Sequence, residues 1–222
     1  MSRASWVRIL PFALFMALLA ARGAAASMAG LGFDPRWFYA LTVLLVGGLL
    51  WFWRHEYAEL AWGAWPGGRE GFEAVVVGLL VFAAWIHLDA PWMQLGQPTA
   101  SFTALDASGR LDLRWAAVRW IGAALVVPVM EELFWRSYLM RWLESPAFEQ
   151  VDPRRVGLRA LALSTGVFML AHTLWLAAIV AGVAYAWLYR RGGRLGAAVI
   201  AHAVTNGALG LWVVVGGHWA FW

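Results

Sequence analysis

Residues 115–143 read WAAVRWIGAALVVPVMEELFWRSYLMRWL, an apolar run that contains Glu131, Glu132 and Arg136. The run is longer than the ~20 residues that a helix needs to cross the hydrocarbon core of a bilayer. A charged side chain at the centre of such a helix costs about 3 kcal/mol on insertion scales, so it is a candidate for function by default. This stretch therefore predicts both a membrane helix and a buried polar site.

The composition of the whole chain agrees with a membrane protein. Of the 222 residues, 62% are hydrophobic and 14% are charged, whereas soluble domains are roughly 45–50% apolar. Further apolar runs occupy residues 5–26, 37–53, 72–88, 158–173, 174–189 and 195–215. The sequence predicts an all-α, polytopic transmembrane bundle of about seven helices, with eight as the alternative. The runs 158–173 and 174–189 share few residues for two full spans, so one of them should be short, tilted or re-entrant.

Cysteine and lysine are both absent, and this excludes several kinds of chemistry. The chain has no cysteine, and its 17 cationic residues are all arginine. Disulfides, thiolate metal sites, a cysteine nucleophile, a lysine Schiff base and a Ser–Lys dyad are therefore excluded. In a membrane protein, arginines report topology and contact with anionic lipid, so we expect the bilayer as a partner and no nucleic acid.

The arginines also predict an orientation. With alternating crossings, one side receives Arg3, Arg8, Arg54, Arg69, Arg141, Arg154, Arg155, Arg159, Arg190, Arg191 and Arg194, and the other receives Arg22, Arg36, Arg110 and Arg114. Cytoplasmic loops carry the excess of positive charge, so the N-terminus is predicted to be cytoplasmic. The run 5–26 ends in three alanines and resembles a secretory signal with a cleavage site; a retained first helix is favoured because the run is long for a signal.

The two glutamates at membrane depth are predicted to have different roles. Glu132 and Arg136 share a helix face and can form an ion pair, while Glu131 points about 100° away from Glu132. Two adjacent carboxylates in a low dielectric should not both be charged and unpaired, so Glu131 is predicted to face a cavity. A carboxylate in that place is suited to act as a general base. The alternative is a salt bridge that only clamps helices together.

Three further polar residues complete the candidate site. His172 ends the run 158–173, and His202 and Asn206 lie one turn apart on one face of the last run. Imidazole and carboxamide groups can carry protons or donate hydrogen bonds to an oxyanion; polar contacts between helices are the alternative. Counted along the helices, Glu131, His172 and His202 lie roughly 12–20 Å from arginines of the predicted cytoplasmic side. We therefore expect one shared pocket that opens to the cytoplasm.

The residues EELFWR (131–136), FMLAH (168–172) and HAVTN (202–206) resemble the EExxxR, FxxxH and HxxxN/D motifs of the CAAX prenyl protease-like (CPBP/ABI) intramembrane proteases. Their context is similar to the bacterial branch associated with PEP-CTERM/exosortase sorting systems. The resemblance covers about residues 115–215. It implies a helical fold with a cavity open to the cytoplasm and the membrane, and a location in the bacterial inner (cytoplasmic) membrane.

The resemblance implies a role for each motif residue. Glu131 would activate water with His172 as its partner, and His202 and Asn206 would form the oxyanion pair. Glu132, Arg136 and Phe168 would support them. Glu131, His172 and His202 also form a plausible ligand set for a divalent metal such as zinc, because catalytic zinc sites use three protein ligands and a water; whether a metal takes part stays open.

The sequence thus predicts an intramembrane endopeptidase acting on a membrane protein or a lipid-anchored peptide. Residues 1–114 would supply N-terminal spans and residues 115–222 the catalytic membrane core, within a single integral membrane domain. The alternatives are a non-enzymatic membrane protein that binds peptides, such as a scaffold or immunity factor, and an ion or proton transporter. The sequence shows neither the inverted repeat nor the paired broken helices that would support a transporter.

Overall fold

The computed structural model describes residues 1–26, 34–96 and 102–222, which fold into seven helices joined by short turns. These helices are α1 (Arg3–Ala26), α2 (Arg36–Phe52), α3 (Gly68–His87), α4 (Leu113–Glu144), α5 (Leu158–Leu170), α6 (Trp175–Gly192) and α7 (Leu195–Gly216). No strand is present in these ranges, and the extended structure is limited to isolated bridges such as Gln94 with Leu174. The prediction of an all-α bundle is confirmed, with one helix for each predicted run.

Four of the helices are long and apolar enough to cross a membrane, namely α1, α3, α4 and α7. Helix α2 is apolar but shorter, and α5 has only 13 residues, which is about 20 Å of helix and less than the hydrocarbon thickness of about 30 Å. The crowding of α5 and α6 in the sequence predicted this short element. The protein is an integral membrane protein.

Helix α4 carries the two glutamates and contains two widened, π-helical turns. These turns span Gly122–Val126 and Leu133–Met140, on either side of the regular segment Val127–Glu132. The helix continues through Pro128, although a proline inside a helix normally kinks or breaks it. Because proline lacks an N–H and collides with the carbonyl four residues earlier, the wider turn just before it accommodates the ring.

The two ends of the helix bundle differ in their arginine content. The arginine-rich end comprises the N-terminal ends of α1, α3, α5 and α7 with the C-terminal ends of α2, α4 and α6. Ion pairs join its segments: Arg3 lies 2.7 Å from Glu56, and Arg194 lies 2.7 Å from Glu70. The opposite helix ends form the arginine-poor end.

At the arginine-poor end, backbone hydrogen bonds and aromatic rings join the segments. Leu95 N–H donates to Thr173 O at 2.7 Å, and Phe102 N–H donates to Trp222 O at 3.1 Å. The Phe102 ring also packs edge-on against Tyr39 and Trp222. The C-terminus therefore lies at the end of the bundle opposite to the N-terminus.

Small residues bring the helices close together. A Cβ atom on Gly78 of α3 would lie 2.4 Å from the carbonyl oxygen of Ala201 in α7, so only glycine permits this crossing. Such close approach through small residues is typical of membrane helices. At the end of α6, Gly193 has φ +72 and turns the chain directly into α7.

One hydrophobic core runs through both halves of the chain. Val46 and Ala74 from the first half are fully buried in the same cluster as Met130 and Tyr185 from the second. Helix α1 belongs to this cluster, since Phe12 stacks on Phe134 with ring centroids 4.1 Å apart. The first helix thus packs into the bundle.

Candidate active site

Glu132 lies at the centre of a buried polar cluster. Its side chain is 0% exposed, and one oxygen, Oε1, lies 3.2 Å from Nη1 of Arg136. The same oxygen accepts a hydrogen bond from Nδ1 of His202 at 2.8 Å. The ion pair with Arg136 matches the prediction from the i, i+4 spacing. The contact with His202, which joins α4 to α7, has no counterpart in the sequence analysis.

Arg136 is held by aromatic rings as well as by Glu132. Its guanidinium carbon lies 4.5 Å from the ring centroid of Phe168 and 5.4 Å from that of Tyr185. Its Nη2 also donates to the carbonyl oxygen of Gly182 at 3.4 Å. Cation–π contacts of a desolvated arginine contribute about 2 kcal/mol, so this arginine fixes the position of Glu132 against α5 and α6.

Glu131 differs from its neighbour in both partners and surroundings. It lines a cavity of about 190 Å³, which Glu132 does not. Within the described ranges, its buried Oε2 atom has no hydrogen-bond partner. A buried carboxylate oxygen normally has a partner, and the residue that carries this one lines a space large enough for water. The arrangement agrees with the predicted division between the two glutamates.

Both candidate histidines have a fixed ring orientation. Nδ1 of His172 lies 2.8 Å from the carbonyl oxygen of Phe168, which makes Nδ1 the donor and leaves Nε2 available. His202 uses Nδ1 on Glu132 and also leaves Nε2, and its ring stacks on Tyr185 with centroids 4.9 Å apart. Hydrogen bonding at one nitrogen determines what the other nitrogen can do.

Asn206 completes the set of predicted residues. Its Nδ2 donates to the carbonyl oxygen of Ala123 at 2.9 Å. Ala123 lies in the first widened turn of α4, where backbone carbonyls depart from the regular ladder. A carboxamide has two N–H groups, so Asn206 keeps one donor after making this contact.

The structure brings the predicted residues together in one place. The 190 Å³ cavity, which we call the site cavity, is lined by Glu131, Phe168, His172, His202 and Asn206. Glu132 and Arg136 do not line the cavity; Glu132 bonds to His202, and Arg136 packs against Phe168. The three sequence motifs, which belong to α4, the end of α5 and α7, therefore meet at one site.

The cavity opens in a direction that the sequence analysis did not expect. The site cavity adjoins a larger one of about 560 Å³, and the two share His172, Trp85 and Arg119. The larger cavity is lined at its rim by exposed residues such as Asp89, Gln94 and Ala220, all at the arginine-poor end.

The expected cytoplasm-facing cavity and the expected cytoplasmic N-terminus therefore exclude each other, since they lie at opposite ends. The depth estimate was misleading because it counted residues only from the arginine-rich end. His172 lies just beyond the other end of the short helix α5.

A metal centre built from Glu131, His172 and His202 was left open by the sequence. Within residues 1–26, 34–96 and 102–222, no three His, Cys, Asp or Glu side chains are grouped to hold a metal ion. The three side chains line the same cavity, and the participation of a metal stays a prediction.

Several residues of the site escaped sequence reasoning. Tyr185 supports His202, and its hydroxyl donates to Thr205 at 2.8 Å; a tyrosine inside an apolar run carries no signal of this role. Trp85 packs edge-on against His172, which depends on how α3 is placed. Arg119 lines both cavities, and its position inside the apolar run 115–143 was a signal that the membrane cost of charge could have revealed.

A comparison with known protein families gives a match over residues 113–208. The family model described as "Rce1-like: Type II CAAX prenyl endopeptidase Rce1-like" matches this segment, which contains all three motifs, helices α4 to α6 and the first part of α7. No curated protein and no solved structure matches the chain. The resemblance seen in the motifs is confirmed at the level of the family, and the exosortase-associated branch stays a prediction. Over residues 113–208, this chain is similar to the Rce1-like family of type II CAAX prenyl endopeptidases.

Proposed function

We propose that the protein is an intramembrane endopeptidase that hydrolyses a peptide bond of a membrane-associated protein or peptide. The family is one of CAAX proteases, which supports a hydrolase with a membrane-associated substrate. The observation that carries the proposal is the position of Glu131, which lines the site cavity beside His172, His202 and Asn206 and whose buried Oε2 has no hydrogen-bond partner in the described ranges. Glu132 also has a buried Oε2 without a partner in these ranges, but its Oε1 is held by Arg136 and His202, and its side chain does not line the cavity.

Glu131 acts as the general base in this proposal. A water in the site cavity gives a proton to the carboxylate while its oxygen bonds to the scissile carbonyl carbon. When the tetrahedral intermediate collapses, the C–N bond breaks and the proton passes from Glu131 to the leaving amine nitrogen. Nε2 of His172 is available to orient the water, because its Nδ1 is held by the Phe168 carbonyl.

His202 and Asn206 stabilise the oxyanion. When His202 carries both protons, it donates Nδ1–H to Glu132 and Nε2–H to the developing negative charge. Asn206 adds its remaining N–H group. Donors that are already oriented before the reaction are effective, since no reorganisation is required at the transition state, and loss of one such donor costs about 3 kcal/mol.

The test is a comparison of membrane-protein termini in cells that carry the wild-type chain or Glu131→Gln. We expect one or more membrane proteins to have a terminus produced by cleavage in wild-type cells. In Glu131→Gln cells this terminus should be absent, and the uncleaved protein should accumulate. Glu149→Gln is the matched control, because Glu149 is an exposed glutamate in a turn at the arginine-rich end. Identical termini in wild-type and Glu131→Gln cells would contradict the proposal, and would favour a protein that binds peptides without cleaving them.

A further inference from the structure

The larger cavity next to the site contains an arginine whose charge is not matched by an acid. We call this cavity of about 560 Å³ the vestibule; Arg22, Tyr39, Asp89, Gln94, Arg119 and Trp222 are among its lining residues. Because it shares His172, Trp85 and Arg119 with the site cavity, a chain that enters at the arginine-poor end passes through it before it reaches Glu131.

Arg119 is surrounded by aromatic rings. Its guanidinium carbon lies 4.6 Å from the ring centroid of Tyr39, 5.9 Å from that of Phe102 and 5.8 Å from that of Trp222. In the described part of the chain it forms no ion pair, and its buried Nε has no hydrogen-bond partner. The rings hold the side chain in place, but they leave N–H donors for another group.

A second cation adjoins the first. Arg22 lies over the same two rings, 5.9 Å from the centroid of Tyr39 and 5.8 Å from that of Phe102. Asp89, which is exposed at the rim, is the acid among the residues that line the vestibule. The vestibule thus has a positive interior beside an apolar bundle, and such a charge is costly unless it serves a function.

The chemistry that matches this interior is a carboxylate. Guanidinium groups bind carboxylates through paired N–H donors with a fixed geometry, and such charge-assisted bonds are about twice as strong as neutral ones. We propose that the vestibule selects substrates by binding a carboxylate through Arg119, with Arg22 adding to the positive field. This inference rests on the proposed function and names the substrate class for the same site.

The geometry also limits where the carboxylate lies in the substrate. Arg119 precedes Glu131 by twelve positions on α4, which is roughly 18 Å of helix rise. An extended peptide covers about 3.5 Å per residue. The acid should therefore lie within about five residues of the scissile bond, either as an Asp or Glu side chain or as the free C-terminus.

The test uses internally quenched apolar decapeptides and the full chain in phosphatidylcholine nanodiscs. Each peptide carries one Asp or the isosteric Asn at a chosen position, and ends in a free acid or an amide. We expect wild-type kcat/KM to be roughly 10-fold higher for the carboxylate member of at least one pair, as a charge-assisted hydrogen bond gives. The Asp/Asn pairs and the acid/amide pairs distinguish the two sources of the carboxylate.

Variants assign the preference to Arg119. In Arg119→Gln, the ratio between paired peptides should fall to about one. Arg114→Gln is the control on the same helix, because Arg114 is exposed and pairs with Asp112 on the surface, and it should keep the wild-type ratio. Equal kcat/KM for paired peptides in the wild type, or an unchanged ratio in Arg119→Gln, would overturn the inference.

A binding measurement separates this inference from the proposed function. Fluorescence anisotropy of the same peptides on the Glu131→Gln chain reports recognition without cleavage. If peptides bind with a carboxylate preference that Arg119→Gln removes, the vestibule inference holds even where no peptide is cleaved. If cleavage depends on Glu131 but binding and cleavage ignore the carboxylate, the protease proposal holds and the vestibule inference fails.

Discussion

Glu131 and Glu132 are neighbours in the chain, but their carboxylates have opposite surroundings. Glu132 is fully buried, and its Oε1 is shared by Arg136 and His202, whereas Glu131 lines the site cavity. A residue that is paired on both sides serves to orient its partners. A residue that faces a cavity serves to act on what enters it.

Substitution of each glutamate by glutamine should therefore give a different defect. Glu132→Gln leaves Arg136 buried without its counter-charge, which costs about 3–5 kcal/mol of stability, and it frees the His202 ring. Glu131→Gln removes only the base, so the thermal midpoint should stay close to the wild type while peptide cleavage is lost. Thermal unfolding in detergent and cleavage of the quenched peptides measure the two effects. Equal loss of stability in both variants would contradict this division.

At the scale of single elements, the crossing of α4 and α2 depends on one glycine. A Cβ atom on Gly122 would lie 2.4 Å from Cγ2 of Val43 and 2.5 Å from the hydroxyl of Tyr39. Gly122→Ala should destabilise the protein by about 1–3 kcal/mol through overpacking. In Gly48→Ala, on the adjoining helix, a Cβ meets nothing within 4 Å, so this control should be neutral or stabilising by about 0.5–1 kcal/mol. A wild-type unfolding midpoint for Gly122→Ala would show that the helices separate freely.

Helix α1 is joined to the bundle by a buried ionic network at the arginine-rich end. Arg8 is 3% exposed and binds Glu59 through Nε at 2.9 Å and Nη2 at 2.7 Å. Ser137 of α4 donates to Glu59, and Arg141 lies 3.7 Å from the same carboxylate. The network therefore connects α1, the turn after α2, and the end of α4.

This network predicts a pH dependence of stability. Burial alone would raise the pKa of the Glu59 carboxyl, but the hydrogen bond and charge of Arg8 outweigh it and hold the pKa below its ordinary value of 4.5. A carboxyl with a lowered pKa contributes stability above pH 4.5, and this contribution is lost as the pH falls through the folded-state value.

We expect Glu59→Gln to unfold more easily than wild type at pH 7, with the difference shrinking as the pH falls below 4.5. The measurement is the thermal midpoint of both chains from pH 7 to pH 3. Glu149→Gln, which changes an exposed glutamate, should follow the wild-type curve throughout. A constant difference between Glu59→Gln and wild type over this range would exclude the ionic explanation.

At the scale of the whole molecule, the arginine distribution predicts which compartment the substrate comes from. Cytoplasmic ends carry the arginine excess, so the arginine-poor end, with the vestibule, should face the other side of the membrane. Alkaline phosphatase fused after Trp222 should then be active, and the same enzyme fused at the turn Phe148–Gln150 should be inactive. The reverse pattern would place both the vestibule and the C-terminus in the cytoplasm.

Local patterns in the sequence were enough to predict much of this molecule. Hydropathy located all seven helices, and the i, i+4 spacing predicted the pair of Glu132 with Arg136. Contacts between distant segments could not be predicted from local patterns. The hydrogen bond from His202 to Glu132, for example, spans 70 positions and depends on the register of α7 against α4. The direction of the cavity was missed for the same reason, because it depends on which helix ends stay apart in the folded bundle.

The widened turn Gly122–Val126 has a further consequence for how recognition is coupled to chemistry. At about 100° per residue, a regular helix would place Arg119 and Glu131 about 120° apart around its axis. A π-helical turn takes in about one extra residue, so the separation behaves as eleven residues and the angle falls to about 20°. Both side chains do line the site cavity. The widened turn thus sets the angle around the helix axis between Arg119, which binds the substrate carboxylate, and Glu131, the general base. A one-residue insertion or deletion in this turn would change which substrates are cut, while the hydrolytic groups stay the same.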